Sequence, residues 1–322
     1  MRLMPVDQER CRGAGSIPVV KARLVVLMTV ASLGIGADAA NQFWLRAAPA
    51  FDQVTKVTAG ETPSDRDVFG IRMLHATRDG TRPWTSAHWA GREYVIAERL
   101  DGHDPQRLSG KRGSGTLSVA DGVLTMAGTQ PRLYIAPSDG APWRDVELTV
   151  YYRRVLDDAT GFAGMVAGVR SGANGHTTET PCDAHTYYAR MRHDGAFDFA
   201  KELKHPSAAA RARVPPADGW PDAQLPRNRW IGWKYVSYNV GDAVTLEVYR
   251  DLTEGKAGGQ WVKINETTDS GGWVAATDCP AHRPVEGRSD LRVLEGANVL
   301  IRNTGVADAR YRWVSVREIR TP

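Results

Sequence analysis

Two runs of alternating apolar and polar residues flank His193-Asp194-Gly195, and this pairing constrains the fold more than any other stretch of the chain. Glycine at a turn between Tyr187–Arg192 and Phe197–Lys204 predicts a β-hairpin. A two-residue Asp-Gly loop would set Arg192 opposite Phe197 and Met191 opposite Asp198, mixing polar and apolar groups on both faces. A three-residue loop with Gly195 left-handed sets Met191 opposite Phe197, Ala189 opposite Phe199 and Arg190 opposite Asp198. Because a slip of one residue turns every side chain over, the three-residue loop is the register that separates the faces. Its apolar face is Ala189, Met191, Phe197, Phe199 and Leu203. The opposite face carries Tyr188, Arg190, Arg192, Asp198, Glu202 and Lys204.

The same period of two recurs along the chain. Thr116–Val119 and Val123–Met126 flank Ala120-Asp121-Gly122. Val146–Val155 alternates, Phe162–Arg170 is rich in glycine and alanine, and Trp230–Val240 meets Ala243–Arg250 across Gly241-Asp242. Trp261–Ile264, Asn298–Arg302 and Tyr311–Ile319 complete about ten expected strands. The proline-rich stretch 204–228 reads as irregular, with at most a helical turn or two over 208–213. No helical period and no repeat of 20–50 residues stands out. The expected class is all-β, a two-sheet antiparallel β-sandwich or jelly roll in a single domain over 41–322. Within it, 41–110 is a loop-rich lead-in and 111–322 the core sandwich.

Residues 1–40 read as a signal peptide. Arg2, Arg10, Arg12, Lys21 and Arg23 precede the apolar run Leu24–Ile35, and Ala37-Asp38-Ala39 offers a small-x-small cleavage site. The mature protein is then expected to be secreted or periplasmic. Removing this segment leaves 36 Lys+Arg against 34 Asp+Glu, a balance that gives no support to nucleic-acid binding, or to membrane binding after cleavage. A monomer is expected. Cys182 and Cys279 are the cysteines left after cleavage, and an even pair in an exported chain points to a disulfide. Cys182-Asp-Ala-His185 and Cys279-Pro-Ala-His282 keep a Cys₂His₂ zinc site open as an alternative, and two free thiols as another.

Three pieces resemble the concanavalin A-like lectin and glucanase superfamily: Ser118–Gly128, the glycine-spaced strand before Arg170, and the closing strand Tyr311–Ile319. The likeness covers roughly residues 110–320. It implies a jelly roll whose secreted members include polysaccharide lyases, glycoside hydrolases and non-catalytic sugar-binding modules, with ligands across the concave sheet. The Glu-x-Asp-x-x-Glu strand of laminarinase-like hydrolases is absent, as are the Gln-Ile-His and Tyr-Phe-Lys-Ala-Gly-x-Tyr signatures of alginate lyases. The resemblance therefore points to carbohydrate and leaves the chemistry open.

Hydrolysis needs two carboxylates within about 5–10 Å of each other. Asp198 and Glu202 share a face but stand four residues, about 13 Å, apart. β-Elimination from a uronic acid needs a cation to hold the sugar carboxylate and a base to take the C5 proton. Arg190 and Arg192 supply the cations, and Tyr188 or His185 the base, the tyrosine with its pKa of about 10 lowered by the neighbouring arginines. Asp198, Glu202, Lys204 and Trp233 are expected to contact substrate. The same Arg190 and Asp198 also suit a plain cross-strand ion pair worth a few tenths of a kcal/mol. No Gly-x-Ser-x-Gly, P-loop or His-Glu-x-x-His occurs, and neither a cofactor nor a catalytic metal is expected. The expected function is an exported polysaccharide lyase acting on an acidic glycan. The alternatives are a non-catalytic glycan-binding module and, behind it, a glycoside hydrolase.

Overall fold

Strand alternation decides which side chains meet between the sheets. In Val146–Asp157, for example, Leu148, Val150 and Tyr152 point inward while Glu147, Thr149 and Tyr151 point outward. The computed structural model describes residues 65–97, 99–157, 164–174, 179–273, 279 and 291–321. The expected signal peptide over 1–40 lies outside them, as does the part of the lead-in before residue 65. The described residues belong to the unit Glu61–Pro322.

Sixteen strands are found among them, against about ten expected: β1 (Trp84–Thr85), β2 (Glu93–Val95), β3 (Ser109–Arg112), β4 (Thr116–Ala120), β5 (Val123–Ala127), β6 (Arg132–Ile135), β7 (Val146–Asp157) and β8 (Gly164–Ser171). These are followed by β9 (Thr186–Arg192), β10 (Phe197–Lys204), β11 (Ser207–Val214), β12 (Ile231–Val240), β13 (Ala243–Asp251), β14 (Val262–Asp269), β15 (Asn298–Thr304) and β16 (Val306–Glu318). They form two antiparallel sheets, as expected for a β-sandwich. The first runs β14-β13-β12-β7-β16-β5-β4-β2, with β1 also on β16, and the second runs β11-β10-β9-β8-β15-β6-β3. The stretch read as irregular between 204 and 228 contains β11. Ala208 and Ala210 pair with Glu202 and Ala200, while Pro206 and Pro215 bound the strand, so the prolines mark its ends rather than an absence of pairing.

The apolar hairpin face lies between the sheets as expected. Ala189, Met191, Phe197, Phe199 and Leu203 are all buried there. Lys201 shares that parity, and its buried Nζ lies 3.0 Å from Asp269, whose carboxylate also accepts a hydrogen bond from the Tyr187 hydroxyl at 2.5 Å.

The outer face of the first sheet is covered by the chain itself. Ile71 and Phe69 pack with Tyr151, Trp230, Trp261 and Trp313. Beside them Glu147 accepts hydrogen bonds from Lys234 Nζ at 2.7 Å, Arg317 Nη2 at 2.5 Å and the backbone N–H groups of Leu74 and His75 at 3.1 and 3.3 Å. Cys182 and Cys279 are joined by a disulfide, which ties the helical turn Pro181–Ala184 ahead of β9 to Cys279 and removes those two thiols from any zinc site. No helix of the described residues is long and apolar enough to cross a membrane.

Candidate functional site

The hairpin adopts the three-residue loop. Met191 pairs with Phe197, Ala189 with Phe199 and Arg190 with Asp198, and Gly195 is left-handed at φ 80°. Its polar side therefore faces outward from the second sheet. Arg190 makes a two-pronged ion pair with Asp198, with Nη2 2.9 Å from Oδ2. Arg192 reaches Asp198 at 3.3 Å and Asp194 at 2.7 Å. Its guanidinium is held above its ordinary pKa, first by the hydrogen bonds to Asp194. The Tyr188 hydroxyl donates to Glu202 Oε2 at 2.7 Å, and His205 Nδ1 lies 3.0 Å from Glu202 Oε1.

Arg190 and Arg192 are thus engaged by carboxylates of their own hairpin, and the Tyr188 proton is directed at Glu202. Asp198, 2% exposed, is enclosed by the two arginines. His185 precedes β9 and Lys204 ends β10, both half-buried. Trp233 does not join this face. Its position on β12 points it between the sheets, where it is 1% exposed and stacks on Phe197 at 5.1 Å, so the expectation that it touches substrate is corrected to a core role.

Strand register extends the polar face well beyond the hairpin. Asp198 is opposite Arg190, Arg190 opposite Val166, Val166 opposite Arg302, Arg302 opposite Arg132 and Arg132 opposite Arg112. Three arginines therefore stand side by side on β3, β6 and β15. The Nε atoms of all three, and Nη1 of Arg112, are buried without a hydrogen-bond partner among the described residues. Arg132 Nη2 donates to Gln130 Oε1 at 3.2 Å. The guanidinium of Arg112 lies over the Tyr134 ring, 5.3 Å from its centre, and that of Arg302 over the Tyr188 ring at 5.0 Å. Burial pulls all three below the usual arginine pKa. Arg302 adds to the effect on Arg132, and Arg99 to that on Arg112. All remain cations at neutral pH.

These residues escaped the sequence reading because they lie far apart along the chain. The local signal was a charged residue one pleat from a buried one, as in Arg132-Leu-Tyr134 and Leu300-Ile-Arg302. Chemically, the row offers planar, forked donors suited to carboxylate or sulfate oxygens. Among the described residues no group of three His, Cys, Asp or Glu is arranged to hold a metal ion.

No family model matches the chain, and no curated protein matches it either. Solved structures similar to it include the receptor-binding domain of botulinum neurotoxin mosaic serotype C/D, at 7% identity over 69% of this chain and 45% of that one, with a TM-score of 0.38. The chain thus spans less than half of that domain's length. A legume lectin-like domain from Entamoeba histolytica is similar at 10% identity over 70% of this chain and 97% of that one, with a TM-score of 0.37. The metal-free carbohydrate recognition domain of Emp46p is similar at 8% identity over 71% of this chain and 97% of that one, with a TM-score of 0.40. These are distant likenesses.

Proposed function

We propose that this is an exported glycan-binding protein whose ligand is an acidic polysaccharide held on the outer face of the second sheet. The observation that carries the proposal is the row Arg112, Arg132 and Arg302. Like charges directly opposite one another destabilise a sheet, and guanidinium nitrogens buried without partners add to that cost. A ligand with anionic oxygens set on the partly exposed guanidinium groups of Arg112 and Arg302 offsets the repulsion between the like charges. The signal-like leader and the Cys182–Cys279 bridge support an extracellular or periplasmic setting.

Titration calorimetry against uronate-bearing, sulfated and neutral polysaccharides tests this reading. Binding of the uronate polymer, none of the neutral one, and loss of affinity in Arg132→Gln are expected. Equal affinity for neutral polymer, or tighter binding of single-stranded nucleic acid, would refute it.

Cleavage of the bound glycan by β-elimination is a second reading, favoured by one observation: the Tyr188 hydroxyl, Glu202 and His205 form a hydrogen-bonded chain beside the arginines. In that reaction a base takes the C5 proton, the C4–O bond breaks, a C4–C5 double bond forms, and the departing oxygen is protonated. Incubation with polyuronate, followed by absorbance of the unsaturated product, decides between the two. A flat trace with retained binding leaves the binding protein, and product formation lost in Tyr188→Phe identifies a lyase.

A further inference from the structure

A buried nucleophile between the two sheets plays no part in the outer face. Lys201 on β10 stands directly opposite Tyr187 on β9, and Asp269 at the end of β14 reaches them from the other sheet. The side chains of Lys201 and Asp269 are both 0% exposed. Lys201 Nζ lies 3.0 Å from Asp269 Oδ2 and donates to the Trp273 carbonyl at 3.1 Å. Asp269 Oδ2 also accepts the Tyr187 hydroxyl at 2.5 Å, while Oδ1 accepts the Gly271 N–H at 3.1 Å. The two carboxylate oxygens thus have different partners: Oδ2 sits between an amine and a proton donor, and Oδ1 is held by a backbone N–H. The Tyr187 phenol keeps its proton, because burial and the charge of Asp269 raise its pKa and outweigh Arg170. The Trp273 ring packs against Tyr187 at 5.7 Å and closes the site to water.

We propose that Lys201 and Asp269 condense into an amide, a covalent cross-link between the two sheets. A proton passes from Nζ to Oδ2, and the neutral amine attacks Cγ of Asp269. As the C–N bond forms, the Gly271 N–H steadies the negative charge that develops on Oδ1. Tyr187 gives its proton to Oδ2 and regains one from the nitrogen. The C–Oδ2 bond then breaks, and Oδ2 leaves as water. Two hydrogens of the ammonium group depart with it, one stays on the amide nitrogen, and nothing is oxidised or reduced. The product is uncharged, so the desolvation cost of keeping an ion pair in this space disappears.

Mass spectrometry of the purified, reduced and unfolded protein reads the link directly. The chain should be one water lighter than the sequence between its observed termini. A tryptic digest should hold a branched peptide joining the segment with Lys201 to the segment with Asp269. Lys201→Arg should show the full mass. Tyr187→Phe should link on the order of a hundredfold more slowly, so that full-mass chains appear in freshly purified protein. Parent protein at full mass, with both segments released as linear peptides, would overturn the inference whether or not any variant folds. A Lys201→Arg chain still one water lighter would overturn it too. Tyr187→Phe protein linked as fast as the parent would remove the role given to the phenol.

Discussion

Replacing Glu147 by Gln tests how the first sheet holds its covering segment. Glu147 is fully buried and faces two buried cations, Lys234 Nζ at 2.7 Å and Arg317 Nη2 at 2.5 Å, as well as the N–H groups of Leu74 and His75. Burial alone would raise its carboxyl pKa, but Lys234 and Arg317 outweigh burial and hold it below the ordinary 4.5. The amide keeps the shape and removes the charge, leaving two cations buried without their anion. Breaking such a pair costs about 3–5 kcal/mol. For a folded unit of this size that corresponds to a fall in Tm of roughly 6–20 °C.

Thermal melts and urea unfolding at neutral pH read the loss directly. Because the folded carboxyl is depressed, its contribution is complete above its unfolded pKa and disappears as the pH drops through the lower folded value. The gap between Glu147→Gln and the parent protein should therefore be widest at neutral pH and shrink as the pH falls below the ordinary 4.5. The double variant Glu147→Met/Lys234→Met should be less destabilised than the two single losses added together. A Glu147→Gln protein within 1 kcal/mol of the parent, or a gap that widens towards acid, would refute the assignment of Glu147 as the anion of this cluster.

Further outcomes follow from the hairpin and the bridge. Phe199→Ala should cost about 3–5 kcal/mol, the ordinary loss for a buried aromatic ring. Arg190→Ala, which leaves Asp198 held by Arg192, should cost about 1–3 kcal/mol; urea midpoints in the reverse order would place the wrong face inward. Denatured, unreduced mature protein should show no reactive thiol at Cys182 or Cys279. Reducing this bridge across 97 residues should lower stability by about 4–5 kcal/mol on the chain-entropy account, and an unchanged melt after reduction would contradict it.

Much of the sandwich was legible from residue order because strand geometry is local. The alternation around Gly195 allowed one register that keeps Met191 with Phe197 and Arg190 with Asp198, and the structure has that register. The same parity rule places Lys201 inward, yet its partner Asp269 lies on another strand, and nothing near Lys201 in the chain announces it. Trp233 shows the limit from the other side. Tryptophan suits both a sugar platform and a core, and what decides is the ring of Phe197 waiting across the sheets.

The arginine row was out of reach for the same physical reason. Arg112, Arg132 and Arg302 become neighbours through the pairing of β3, β6 and β15, and the last of these enters the sheet after more than 160 intervening residues. Local alternation can say that each arginine shares a face with its own strand's outward residues. Which strands stand beside one another is settled by burying the apolar faces together. Only that long-range pairing brings three cations to the same line.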